Sequence, residues 1–350
     1  IDGPRTDLTD VSAITYYADN DTCVGCRGQV QTVTNAAGQV TAFNSYDLDG
    51  RPTQITDANG VATTLAYTPR GWLASRTAAG ETTTYDYDFA GNLAKVTLPD
   101  GSWVTYQYDA ANGLLGLNDN LMNSIDYVLD VKGNRVQESV FDPQGQLRRT
   151  QQSLYDITNR LQKVLGAAGQ TTTYGYGTYD NFSTVTDPLL RLTTNYTDVL
   201  GRLSSTTDAA NGSTTFTYDA KDRLTSVKDP RNLTTTYTYD PLGNLTQQVS
   251  PDTGTTGFTY DAAGNVASQT DARSVATTYA YDALNRVVSA TVADGTVTYE
   301  YDNTTTGGPY ARGRLTKVTD PSGNTTWTYD SLGRVTAKTQ TITAAPPNKA

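Results

Sequence analysis

Aspartate follows an aromatic residue again and again in this 350-residue chain: Asp47, Asp88, Asp109, Asp156, Asp219, Asp240, Asp261, Asp282, Asp302 and Asp330 each come directly after a tyrosine. Paired carboxylates can cleave glycosidic bonds when one holds a proton and the other is ionised. That chemistry needs one unusual pair, whereas these are many equivalent residues. Histidine is absent, which removes Ser-His-Asp machinery, histidine bases and histidine metal sites. The two cysteines, Cys23 and Cys26 in "NDTCVGCRG", cannot alone close a four-ligand zinc site. Three readings stay open for them: a disulfide stapling a loop, idle thiols, or a redox or metal pair. The calcium nonapeptide pattern is missing. No cofactor is expected.

These residues belong to a repeat, and the repeat assigns them a different task. Aligned on the tyrosine of "TYTYDPLGNL" (Thr236 to Leu245), the chain shows anchors at Tyr46, Tyr67, Tyr87, Tyr108, Leu129, Tyr155, Tyr176, Thr197, Tyr218, Tyr239, Tyr260, Tyr281, Tyr301 and Tyr329, with Tyr17 one long step earlier. Most steps are about 21 residues, giving about fifteen units, and such a period marks a repeat architecture. Four residues after nearly every anchor stands Gly, Asn or Asp, including Gly91, Gly243, Gly264, Asn285 and Gly333, Thr305 after Tyr301 being an exception. These residue types best tolerate positive φ, as a type I turn closed by one left-handed residue requires. The aspartates Asp88, Asp240, Asp261, Asp282 and Asp330 would start such turns by accepting a backbone hydrogen bond two residues on. Tyr87, Tyr237, Tyr239, Tyr260, Tyr281 and Tyr329 then become rungs of aromatic rows, since residues two apart on a strand share a face. Second turns fall mid-unit, as in "TDANG" (Thr56–Gly60).

Each unit therefore reads as strand, turn, strand, turn, and helix signals are nearly absent. The fold class is all-β: antiparallel hairpins stacked on their neighbours, because one such hairpin cannot bury its own face. About 30 strands spaced ~4.8 Å would make a ribbon roughly 140 Å long and ~20 Å wide. Open sheets this long curl; a single loop of that circumference would be about 45 Å across and hollow. The expected organisation is a lead-in over 1–15, the array over 16–340 and a linker over 341–350. Inserted hairpin tips are expected near 18–28, 134–153 and 302–313.

Composition narrows the partners. The formal charge of −10 and the lack of a Lys/Arg cluster argue against nucleic acid. No apolar run is long enough for a membrane span. Apolar content is 37%, and 24 tyrosines stand against 6 phenylalanines, which suits a thin structure with partly wet faces. Tyrosine rows interleaved with Asp, Asn and Thr would either stack on glycans or serve only as the packing ladder. Arg135, Arg148 and Arg149 mark a longer unit, either a contact hairpin or a plain insertion. Ile1 is not an initiator, so the chain reads as a piece of a longer protein or a processed product.

The units "YDPLGNL", "YDAAGNV", "YDALNRV", "YDSLGRV" and "YDAKDRL" resemble the YD repeats of bacterial Rhs proteins, which also occur in insecticidal toxin-complex components and teneurins. The resemblance spans about Tyr16 to Val335. It implies a β-sheet that spirals into a hollow cocoon around a variable C-terminal toxin, outside the producing cell or on its surface. It thus implies a non-enzymatic segment whose partners are an enclosed cargo or further repeats. The family's Pro…Asp-Pro-x-Gly-Leu core motif is not matched: "FDPQGQL" and "SPDTG" sit mid-chain, and "TITAAPPNKA" carries neither motif nor toxin. Self-cleavage and toxicity are therefore not carried over. A filament or adhesin that binds glycans or identical copies is the alternative, since open sheet edges can pair with further strands.

Overall fold

The computed structural model of this protein describes residues 2–343. The last seven positions of the expected 341–350 linker lie outside the described residues. Among the described residues, thirty strands belong to one antiparallel sheet, joined by tight turns. The helical pieces among the described residues are a single 3-10 turn, Val24–Cys26, and the short helix Thr304–Gly307. The architecture is all-β, built of stacked hairpins.

Local chemistry explains the hairpins. In the anchor turns the aspartate amide donates to the carbonyl five positions after the anchor, and the glycine amide returns a bond to the aspartate carbonyl. Asp240 N to Asn244 O is 2.9 Å and Gly243 N to Asp240 O is 3.1 Å. The register slips by one residue immediately before the anchor, as at Thr259/Tyr260 and Ala280/Tyr281. This is a type I turn followed by a left-handed residue and a bulge. The bulge places Tyr260 opposite Val266 and Tyr281 opposite Val287.

The strands alternate in exposure. In Thr234–Tyr239 the tyrosines are half-buried and Thr236 and Thr238 are exposed, and Ala276–Tyr281 follows the same pattern. One face carries Tyr, Leu and Val; the other carries hydroxyls that bond across strands, such as Thr259 to Ser268 at 2.7 Å and Thr328 to Thr336 at 2.7 Å. Among the described residues, the buried apolar side chains are Cys26, Ala78 and Ala311. With few side chains fully buried, cohesion comes from the partly buried Tyr, Leu and Val rows together with the ladder of bonds between neighbouring units.

Contacts divide the chain into two compact units: Ile1–Thr82 with Thr238–Ala350, and Thr83–Tyr237. The first joins the early and late repeats. The second is one continuous run and holds the nine-residue strand Leu147–Tyr155.

Candidate functional site

Each aspartate that suggested acid–base chemistry is an acceptor inside its own turn. Asp88 Oδ1 takes the amides of Ala90, Gly91 and Asn92 at 2.8–2.9 Å, and Asn92 Nδ2 donates to Asp88 Oδ2. Asp261 accepts from Ala263 N and Asn265 N, Asp282 from Leu284 N and Arg286 N, and Asp330 from Leu332 N and Arg334 N. Asp240 accepts from Asn244 through both its backbone and its side chain. Hydrogen bonds to an ionised carboxylate favour the charged form. The side chains of Asn92, Asn244 and Arg334 hold Asp88, Asp240 and Asp330 below the usual carboxylate range. For Asp261 burial pushes upward, but the bonds from Asn265 outweigh it and the net shift is down. Groups held this way are poor proton donors at neutral pH.

From Tyr46 on, the Gly, Asn or Asp four after the anchor is left-handed, as in Gly91 at φ 100°, Gly243 at 99°, Gly264 at 82°, Asn285 at 59° and Gly333 at 82°; after Tyr301 the helix Thr304–Gly307 takes its place. An added Cβ at Gly243 would meet nothing within 4 Å, so backbone φ alone decides which residues fit there.

Two roles were not read from the sequence. The first belongs to the tyrosine hydroxyls. Tyr67, Tyr108, Tyr176, Tyr218, Tyr260 and Tyr281 each donate to the carbonyl fifteen positions earlier, at 2.8–3.0 Å. The acceptor is the residue that begins a strand of the preceding unit, Leu245 for Tyr260 and Val266 for Tyr281. Phenylalanine would fill the same space without this bond, which gives the excess of tyrosine over phenylalanine its reason. The second role belongs to the residue after the turn glycine. Arg202 bonds its own Asp198 and then reaches Asp222, the left-handed residue of the next unit, at 2.5 Å. Arg160 reaches Asp180 and Asn265 reaches Asn285 in the same way. Arg202 and Arg160 also lie over the rings of Tyr218 and Tyr176 at 4.7 and 4.5 Å. An Asn or Asp in the left-handed position therefore receives a bond from the neighbouring unit that Gly cannot. The signal lay in which units carry Asn or Asp there.

The remaining candidates are local. Cys23 and Cys26 are joined as a disulfide across the 3-10 turn, with Cα atoms 5.2 Å apart and Cys26 fully buried. Arg149 and Arg135 pair with Glu138, Arg148 pairs with Asp142, and Arg135 stacks 3.5 Å from the Tyr127 ring centroid. A groove of about 510 Å³ in the second unit is lined by Trp103, Asn118, Asp119, Phe141 and Asp142 among others. Asp119 and Asp142 in it are again turn acceptors. No cluster of His, Cys, Asp and Glu suited to a metal ion occurs among the described residues. No helix of the described residues is long and apolar enough to cross a membrane.

Comparison with known proteins places this geometry. The teneurin YD-shell family matches residues 204–344 and the RHS repeat matches 27–62, 46–83 and 67–102. A double-stranded DNA deaminase toxin A of Burkholderia cenocepacia (strain H111) is 33% identical over 126 residues, covering 33% of this chain and 8% of that toxin. Among solved structures, the TcdB2-TccC3 complex without its hypervariable C-terminal region matches with a TM-score of 0.71 at 15% identity, over 96% of this chain and 22% of that one. The Photorhabdus luminescens Tc holotoxin pore carrying the TccC3 D651A change gives the same values. The chain thus spans a small fraction of the proteins it matches, and the structural likeness concerns the fold. With its YD units, its hairpin sheet and these matches together, the chain carries RHS and teneurin YD-shell repeats over 27–102 and 204–344 and is similar to Rhs/YD-repeat proteins.

Proposed function

We propose that this chain is a non-enzymatic wall segment of a bacterial Rhs-type toxin, built to enclose or present a C-terminal cargo that lies outside it. One observation carries the reading: the residues with chemical potential are spent on the array itself, the tyrosine hydroxyls bonding one repeat to the next and the aspartates closing their own turns. A wall needs that regularity, whereas a catalytic site breaks it. The toxin name of the Burkholderia relative and the hypervariable C-terminal region named for the TcdB2-TccC3 structure support a cargo. The exposed strand Val335–Ile342, paired only with Gly323–Tyr329 among the described residues, offers an edge to further repeats of the same protein. In this reading the protein acts outside the producing cell, and the turn and ladder residues Tyr260, Asp261 and Gly264 are structural. The Cys23–Cys26 staple suits an oxidising compartment.

The test is the full open reading frame, purified with its downstream segment and treated with protease. Protection of that segment for as long as the repeats stay folded, with hollow particles in negative stain, is the expected result. A downstream segment digested at the rate of the isolated peptide, or long fibres in the images, would overturn it and favour the filament.

A further inference from the structure

Within the unit formed by Ile1–Thr82 and Thr238–Ala350, several polar contacts join residues far apart in sequence. The Asn59 amide lies between both backbone groups of Arg312: Asn59 Nδ2 donates to Arg312 O at 3.1 Å, and Arg312 N donates to Asn59 Oδ1 at 2.9 Å. Arg312 Nη1 also donates to Ala58 O at 2.9 Å. Arg334 pairs with Glu81 at 2.9 Å. Gln39, Asp302 and Arg312 line one small cavity. Arg5, whose side chain is 4% exposed, lies 3.4 Å from Asp261.

Two features make this more than chance proximity. Asn59 and Arg312 are 253 positions apart, and so are Glu81 and Arg334, so both contacts fall at one offset of roughly twelve repeat steps. The chemistry is also one-sided. The early segment contributes mid-unit turns and the residues flanking them (Gln39, Ala58, Asn59, Glu81), whereas the late segment contributes anchor turns and their insertion (Asp302, Arg312, Arg334). The insertion is prearranged to present Arg312. Asn303 caps the helix Thr304–Gly307 through the amides of Thr305 and Thr306. Ala311 and Thr316 are fully buried, and a Cβ on Gly307 would lie 2.5–2.6 Å from their side chains. Asp302 is fixed by Arg286 and by Gly313 N.

We infer that the insertion Asp302–Arg314, with Arg334 and Asp261 beside it, is a latch that fastens the early mid-unit turns to the late anchor turns at this offset. Its bonds are polar and mostly exposed, so it opens more readily than the hairpins it joins. Arg5 is the buried exception and pins the lead-in. The latch concerns this chain alone and holds whether or not a cargo is enclosed.

Hydrogen exchange on the purified chain tests it with Asn59→Ala. The expected result is about tenfold faster exchange at 57–61 and also at 311–313, with the hairpin Trp103–Asp119 unchanged. Faster exchange at 57–61 alone would mean that Asn59 serves only its own turn, and would overturn the latch. Glu81→Gln leaves every turn bond intact and guards against misfolding. It should speed exchange at 330–334 about twofold at low salt and reduce the salt dependence expected there in the parent chain to the part left by the Arg334–Asp330 pair. Identical exchange in variant and parent at every salt concentration would likewise overturn the proposal.

Discussion

Replacing Tyr260 by phenylalanine removes one oxygen and leaves the ring, so it isolates the bond between units. The Tyr260 hydroxyl donates to Leu245 O at 2.8 Å, and both residues are half-buried. A net intramolecular hydrogen bond contributes about 0.5–1.5 kcal/mol, and partial access of water to the orphaned carbonyl limits the loss to that range. In a repeat array the loss stays near the substituted interface, and a whole-chain melting temperature would dilute it. The assay is therefore amide exchange, read in Gly254–Tyr260 and Val266–Thr270, where about 1 kcal/mol corresponds to roughly fivefold lower protection. Tyr179→Phe is the control, because Tyr179 is 89% exposed; it should change nothing. Equal protection in Tyr260→Phe and the parent, or an equal loss in the control, would refute the claim that the hydroxyls join the units. The phenol supplies a pH arm. Burial raises the Tyr260 pKa above the ordinary value of 10, so the folded chain holds this proton more tightly than the unfolded one. That contribution is present below about pH 10 and is lost as pH rises through the folded value. The parent should therefore lose stability more steeply above pH 10 than Tyr260→Phe, and the two curves should converge.

Gly264→Val should cost about 1–3 kcal/mol by forcing a β-branched residue to φ 82°. Gly264→Asn should cost far less, since its side chain would stand beside Asn244, as Asn285 stands beside Asn265; chemical denaturation compares the two. The turn carboxylates Asp88, Asp240 and Asp330 have folded pKa values below their unfolded ones. Their contribution is present above about pH 4 and is lost as pH falls through the folded values, so circular dichroism melts should drop on acidification and Asp330→Asn should flatten that drop. Reducing the Cys23–Cys26 bond should weaken its loop by about 2 kcal/mol on loop-entropy grounds, with faster proteolysis near residues 18–28 and no change in the hairpin Glu81–Thr97.

Much of the local structure was legible because hairpin turns are written in short-range chemistry. A positive φ narrows the choice to Gly, Asn or Asp, and an aspartate three residues earlier completes the turn. Gly243 and Asp240 are therefore recognisable within one ten-residue stretch. The tyrosine rows were legible as rows, since alternation on a strand fixes which residues share a face. Their hydroxyl bonds were not, because the Leu245 carbonyl that receives Tyr260 has the same chemistry as every other backbone carbonyl. Which one comes within reach depends on the bulge and on the stagger between adjacent units. The bond from Arg202 to Asp222 was hidden for a similar reason: the Arg and the Asp are each accounted for by their own turns.

The sequence by itself determined the repeat, the turn at each unit and the all-β class, since each follows from the conformational preferences of a few adjacent residues. Only the tertiary structure decided that Asn59 meets Arg312 and Glu81 meets Arg334. In an array of near-equivalent units, nothing in the spacing distinguishes a partner twelve steps away from one eleven steps away. The choice rests on contacts that form only in the folded chain, where an insertion is shaped to present Arg312 to Asn59.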